Sequence, residues 1–199
     1  MTFNEIYDEV ILITKRPDLA ARTQQAIRAA TLKAHQSDFY YKDVVEVSVQ
    51  FTSVFFLQNF VPTEVVPNFR KAKYIRLWEG DVNGMFGKFL KPIQIENSQD
   101  AYGCTKSDVF YMAGQNLQIR GTAALDKVLF GCYVNPTVLP IGAYSSWIAT
   151  EMPYVIIYEA ARTIFKSISF TEQANEYSQL VGELFQELKL SYVDDVPIT

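Results

Sequence analysis

His35, Cys104, Cys132 and the glycine-rich stretch from Gly80 to Lys88 are the residues of this chain whose types and spacing could do chemistry. His35 is the single histidine, so any serine–histidine–aspartate chemistry has to use it. It lies between Ala34 and Gln36 in a helical pattern, and the chain has no Gly-x-Ser-x-Gly elbow. A lone helical histidine of this kind reads as a structural or surface residue. Cys104 and Cys132 have no metal-type spacing and cannot build a disulfide framework, so both read as buried free thiols in a reducing compartment. In Gly80-Asp81-Val82-Asn83-Gly84-Met85-Phe86-Gly87-Lys88, a phosphate loop needs glycine where Val82 stands and Ser or Thr where Phe89 stands. The stretch therefore reads as a hairpin loop. Asp194-Asp195 is an adjacent carboxylate pair in what reads as a solvated tail. The expectation is a protein that is not an enzyme, with no catalytic residue, cofactor or metal.

The elements around these residues fall into three zones. Thr2 and Glu5 have capping-box spacing, and Phe3, Ile6, Val10 and Ile13 form one apolar stripe, which predicts a first helix. Lys15-Arg16-Pro17-Asp18 stops it, and a second, alanine-rich helix follows over about 18–36. The middle zone, 43–135, is β-rich. Val45, Val47, Val49 and Phe51 alternate with polar residues, and 54–60, 72–78, 109–112, 116–120 and 127–134 read as further strands. No helix there is long enough for a crossover, so the sheet should be mainly antiparallel. Segment 80–106 should project as a long loop or arm. The third zone is helical: a segment over 151–167 is apolar except for a stripe of Glu159, Arg162 and Lys166, and Thr171 can cap a last helix with Ala174, Tyr177, Val181, Leu184 and Leu188 on one face.

Composition bounds the function. The 199 residues, 49% hydrophobic and 20% charged with a net charge of −4, are those of an ordinary globular domain without a global nucleic-acid signature. The longest apolar runs fall far short of a membrane span, and Met1–Ile13 has no signal-peptide pattern, so no membrane role and synthesis in the cytoplasm are expected. Charge is unequal along the chain: 14–38 carries +3, and 170 onward carries −5. Such polarity could order subunits in a ring. The fourteen Phe, twelve Tyr and two Trp exceed an obvious core requirement. Phe39, Tyr40-Tyr41 and Phe55-Phe56 should place some rings outward, as at interfaces. A large aromatic core and a sugar platform on Trp78 or Trp147 are the other readings.

Leu12-Ile13-Thr14-Lys15-Arg16-Pro17-Asp18-Leu19, Lys33-Ala34-His35-Gln36-Ser37-Asp38-Phe39-Tyr40, and the stretch from Ser146-Trp147-Ile148 to Glu159-Ala160-Ala161-Arg162 look like segments recurring in phage virion proteins. With the order of elements, the chain resembles the head-to-tail adaptors of short-tailed bacteriophages, the gateway or tail tubular protein A-like subunits. The resemblance implies an α+β fold, with N- and C-terminal helices packed as a bundle around a central antiparallel, sandwich-like β-rich region. It divides the chain into a ring-forming helical part (1–42 and 145–190), a β-rich part (43–144) and a flexible tail (191–199). It implies a structural protein of the virion neck, a subunit of a twelve-membered ring of copies of itself. That ring binds the portal protein and the tail nozzle protein, and double-stranded DNA passes through it without sequence reading. Candidate subunit and portal contacts are Tyr177, Leu184, Phe185, Leu188, Tyr192, Asp194 and Asp195. Arg22, Arg28 and Lys33 are candidates for a lumen or acidic-partner face. Another neck or tail-completion subunit, and a glycan- or small-ligand-binding domain, are the alternatives.

Overall fold

The computed structural model describes residues 1–79, 85–99 and 103–193. Thr2 opens the first helix through the capping box: its hydroxyl accepts the Glu5 N–H at 3.3 Å, and the Glu5 carboxylate accepts the Thr2 N–H at 2.8 Å. Helix α1 (Phe3–Thr14) ends at Lys15 in the left-handed region (φ 54°), and Pro17 begins a short 3-10 turn into α2 (Ala20–Gln36). The chain continues through β1 (Val44–Phe60), a one-turn helix α3 (Pro62–Val65), β2 (Phe69–Glu79), β3 (Met85–Phe89), β4 (Lys91–Pro92), β5 (Val109–Ala113) and β6 (Asn116–Val134). It closes with α4 (Trp147–Glu151), α5 (Pro153–Ser167) and α6 (Thr171–Tyr192). The fold class is α+β. Among the described residues, no helix is long and apolar enough to cross a membrane.

The chain divides into two units, residues 1–43 with 135–193, and residues 44–134. In the helical unit, Ile6, Ile27, Ile148, Ile156, Ile157 and Ile164 are buried essentially completely. α5 is the central element: it buries Val155, Ile156, Ile157, Ala160, Ala161 and Ile164. The small residues Ala30 and Ala34 of α2 are buried in the same core. α6 is held by Ala174, Val181 and Leu188. Two local expectations change. Thr171 does not cap α6; its hydroxyl donates to the Ser169 carbonyl at 3.4 Å, and the helix begins after Phe170 without a side-chain cap. α4 is a separate short helix, capped by Ser146, whose Oγ accepts the Ala149 N–H.

In the β unit one six-stranded sheet is organised on β6. All pairings are antiparallel except the short parallel pair β4–β5. Where the pattern suggests two strands at 45–51 and 54–60, the backbone runs as one, and the same holds for 116–120 and 127–134. The joins are irregular. β1 pairs with β6 from Val44↔Tyr133 to Gln50↔Lys127 and again from Leu57↔Arg120 to Phe60↔Leu117, with register shifts around Phe55. Across them the buried residues of β6 change parity, from Leu117, Ile119 and Leu125 to Val128, Phe130 and Cys132. The two shifts, three extra residues on β1 and then three on β6, cancel, so the flanking stretches keep one register. Gly131 faces Tyr74 across the β2–β6 pair, and a Cβ there would lie 2.5 Å from the Tyr74 ring. Gly114 takes φ +64° in the turn between β5 and β6.

Segment 80–106 is not simply a loop: Met85–Phe89 extends β2 into a hairpin and Lys91–Pro92 joins β5. Residues 80–84, with most of the glycine-rich stretch, lie outside the described residues. Residues 191–193 of the expected tail belong to the helical unit, and 194–199 lie outside the described residues. α6 continues to Tyr192, and Val193 bridges Tyr40. Cys132 is a buried thiol, whose pKa burial pushes up to about 11, whereas Cys104 is exposed, contrary to expectation. Its segment lies outside the strands, where packing does not cover it.

Candidate functional site

His35 reaches the core because the alanine-rich face of α2 turns inward, and position 35 shares that face with Ala34, Thr31 and Ile27. A polar ring there needs partners. Asp43, the last residue of the short 3-10 turn Tyr41–Asp43, supplies one: its Oδ1 lies 2.8 Å from His35 Nδ1. Ser146 supplies the other, with Oγ 2.8 Å from Nε2. His35 and Asp43 are 2% and 3% exposed, and Ser146 is half-buried. A carboxylate only accepts, so Nδ1 carries a proton, and in the neutral imidazole Nε2 then accepts the Ser146 hydroxyl. Trp147 donates Nε1–H to the same Asp43 Oδ1 at 2.7 Å, and its ring meets His35 edge-on at 5.6 Å. Asp43 Oδ2 is buried without a hydrogen-bond partner.

Ser146 opens on a cleft of about 370 Å³ within the helical unit, lined also by Thr2, Asn4, Gly142, Tyr144 and Thr150. The Tyr144 hydroxyl shares a hydrogen bond with Thr31 at 2.9 Å. Burial dominates in raising the Tyr144 pKa, against its hydrogen bonds with Thr31 and Ser146. Beside this network, the Lys42 ammonium sits 4.6 Å from the Tyr192 ring centre and 5.4 Å from that of Trp147, and pairs with the Glu151 carboxylate. The hydrogen bond from Lys42, followed by that from Tyr192, holds the Glu151 carboxyl below its usual range.

The residues singled out for a binding face are turned mostly inward. Leu188 is fully buried, Tyr177 packs on Tyr158 and Phe165, and Leu184, Phe185 and Tyr192 pack on the helical core. The apolar stripe that could have marked a docking face is what holds α6 to its own unit. Asp194 and Asp195 lie outside the described residues. Lys33 has an acidic partner within the chain: Nζ is 2.6 Å from Glu159, which also binds Arg162 at 2.6 and 3.0 Å. Glu159, expected on a charged outer stripe, is only 5% exposed in its side chain. Arg28 is half-buried, with its Nε lacking a hydrogen-bond partner, and Arg22 is exposed on α2. Sequence reasoning singled out His35 and missed Asp43 and Ser146, because Ser146 is 111 positions away and no local motif links them. Among the described residues, no group of three His, Cys, Asp or Glu is arranged to hold a metal ion.

The β unit offers a different surface. Val54, Phe55, Phe56 and Leu57 are consecutive, apolar and 56, 61, 60 and 47% exposed. They lie where β1 changes register against β6, so the irregularity leaves both faces of the strand without a covering neighbour. Val54 also lines an open groove of about 540 Å³ with Leu77, Trp78, Lys88 and Asp126. Lys127 Nζ stands 4.5 Å from the Trp78 ring centre. Trp147, the other candidate sugar platform, is instead bound into the His35 network. In comparisons with known proteins, no family model matches the chain and no curated protein sequence matches it.

Proposed function

We propose that the chain is a structural virion protein, a head-to-tail adaptor that forms a ring between the portal and tail nozzle of a short-tailed bacteriophage and lets double-stranded DNA pass. The observation that carries this reading is the exposed run Val54–Leu57. Four consecutive, half-exposed apolar residues on a strand favour a contact with another protein chain. The resemblance of the segments around Pro17, His35 and Glu159 to phage virion proteins directs that contact to the neck of the particle. α6 adds exposed Glu172, Glu176, Glu183 and Glu187, which suit a basic neighbour such as the Arg22 region of another copy.

The test is the native mass of the protein mixed with the portal ring from the same source. Saturable addition of one chain per portal subunit is expected. No addition at micromolar concentration overturns the adaptor reading. The groove beside Trp78 favours a second reading, a glycan- or small-ligand-binding β unit. Quenching of Trp78 fluorescence by a saturating oligosaccharide, in a Trp147→Phe background, separates that reading from the first.

A further inference from the structure

We infer that Ser146 is an activated nucleophile, able to take an acyl group from a small ester or the phosphonyl group of a fluorophosphonate. The inference is independent of the adaptor reading and rests on the geometry of the helical unit. Ser146 Oγ, His35 Nε2, His35 Nδ1 and Asp43 Oδ1 form a continuous relay with two links of 2.8 Å. Each group has the role its protonation allows. Asp43 can only accept, which fixes a proton on Nδ1 and, in the neutral imidazole, leaves the Nε2 lone pair on the Ser146 hydroxyl. Trp147 Nε1 binds the same carboxylate oxygen, and its edge-on ring packs against the imidazole, so both are held in place. Asp43 is therefore a positioning residue.

Burial follows the same order. The two relay groups are almost wholly shielded from water, while the hydroxyl lines the 370 Å³ cleft with Asn4, Tyr144 and Thr150. A serine that only caps α4 needs no more than its bond to the Ala149 N–H. Placing a carboxylate with one unsatisfied oxygen behind it costs stability that a cap alone does not call for. In the reaction, Oγ forms a bond to the ester carbonyl carbon as its proton passes to Nε2. The C–O bond to the alcohol then breaks, and the leaving alkoxide takes that proton from Nε2. The product is acyl-Ser146 and a free alcohol. Water repeats the sequence, giving a carboxylic acid and restoring the serine.

The experiment treats the intact protein with a fluorophosphonate probe and locates the adduct by peptide mass spectrometry, with the exposed Ser178 as internal reference. General-base assistance is worth roughly 10²–10⁴-fold, so labelling of Ser146 is expected at least ~100-fold faster than of Ser178. His35→Gln removes that advantage. Gly142→Phe narrows the cleft from a position where an added Cβ meets nothing within 4 Å, so it slows labelling while the melting temperature is kept. For Asp43→Asn, the expected signature is loss of the downfield proton resonance of His35 Nδ1–H together with slower labelling. No adduct on Ser146 in the folded protein, or labelling no faster than that of Ser178, overturns the inference. If His35→Gln does not fold, the wild-type rate ratio and the Gly142→Phe variant still decide it.

Discussion

The two units depart from the ordinary division of polar outside and apolar inside, and they do so in opposite directions. The helical unit buries polar and charged groups: His35, Asp43 and Glu159 lie among isoleucines and alanines, each held by named partners. The β unit exposes hydrocarbon: Val54–Leu57 stands in water on an irregular strand. Neither departure is explained by folding economy. A buried ionic group is seldom the most stabilising choice, and an exposed aromatic run contributes almost nothing to the fold. Both are therefore the places to seek function, the first within the chain and the second between chains.

The largest effect should come from cutting the β core, against which the exposed run can be judged. Phe130 is fully buried, with the rings of Phe60 and Phe69 at 5.2 and 5.9 Å. Phe130→Ala should cost roughly 3–5 kcal/mol in urea unfolding. A loss below 1 kcal/mol would show that β6 is not the organising strand. In the helical unit, Glu159→Ala should cost about 3 kcal/mol, because it strands Arg162, which is 17% exposed in its side chain. That figure is at the low end for a buried pair, since Lys33 is half in water. Glu159→Gln keeps part of the hydrogen bonding and should lose less; equal losses would mean that volume rather than charge matters there.

A smaller effect tests the helical unit at its edge. Thr2→Ala should cost about 1 kcal/mol through loss of the cap on α1. Its pH dependence has a definite sign. The Thr2 backbone N–H, above all, holds the Glu5 carboxyl below its ordinary value. A depressed carboxyl stabilises the fold fully above its unfolded pKa, and that contribution is lost as pH falls through the folded one. The melting temperature of the wild type should therefore fall more steeply below about pH 4.5 than that of Glu5→Gln. Parallel curves would remove Glu5 from the cap.

How much of this was legible in the sequence depended on how local the cause was. The capping box, the stop at Lys15–Pro17 and the β5–β6 turn at Gly114 are set by residues within a few positions, and their spacing predicts them. The continuity of β1 and β6 was not legible, because the parity change near residue 126 imitates the end of one strand and the start of another. The α6 stripe was ambiguous for a different reason. Tyr177, Leu184 and Leu188 recur at helical spacing whether they meet another chain or their own core, and the structure puts them on the core. The pairing of His35 with Ser146 is tertiary throughout: α2 and the start of α4 are brought together by the packing of Ile27, Ile148 and Ile156, which no short motif encodes.

The smallest stability effect is the most informative about the exposed run. Phe55→Ser and Phe56→Ser remove side chains that are about 60% exposed, so each should change unfolding stability by no more than about 0.5 kcal/mol. The variant carrying both substitutions should elute much earlier from a phenyl column and lose saturable addition to the portal ring. Val49→Ser on the same strand provides the contrast, since Val49 is 8% exposed and packs in the β core. It should cost stability and leave the column behaviour of the folded protein unchanged. If instead Phe55→Ser and Phe56→Ser destabilise as Val49→Ser does, the run is part of the β core. The surface then loses its claim to be an interface, and with it goes the observation that favours a ring subunit. Stability kept with addition lost separates the two roles of one strand: Val49 holds the unit together, and Phe55 and Phe56 face a partner.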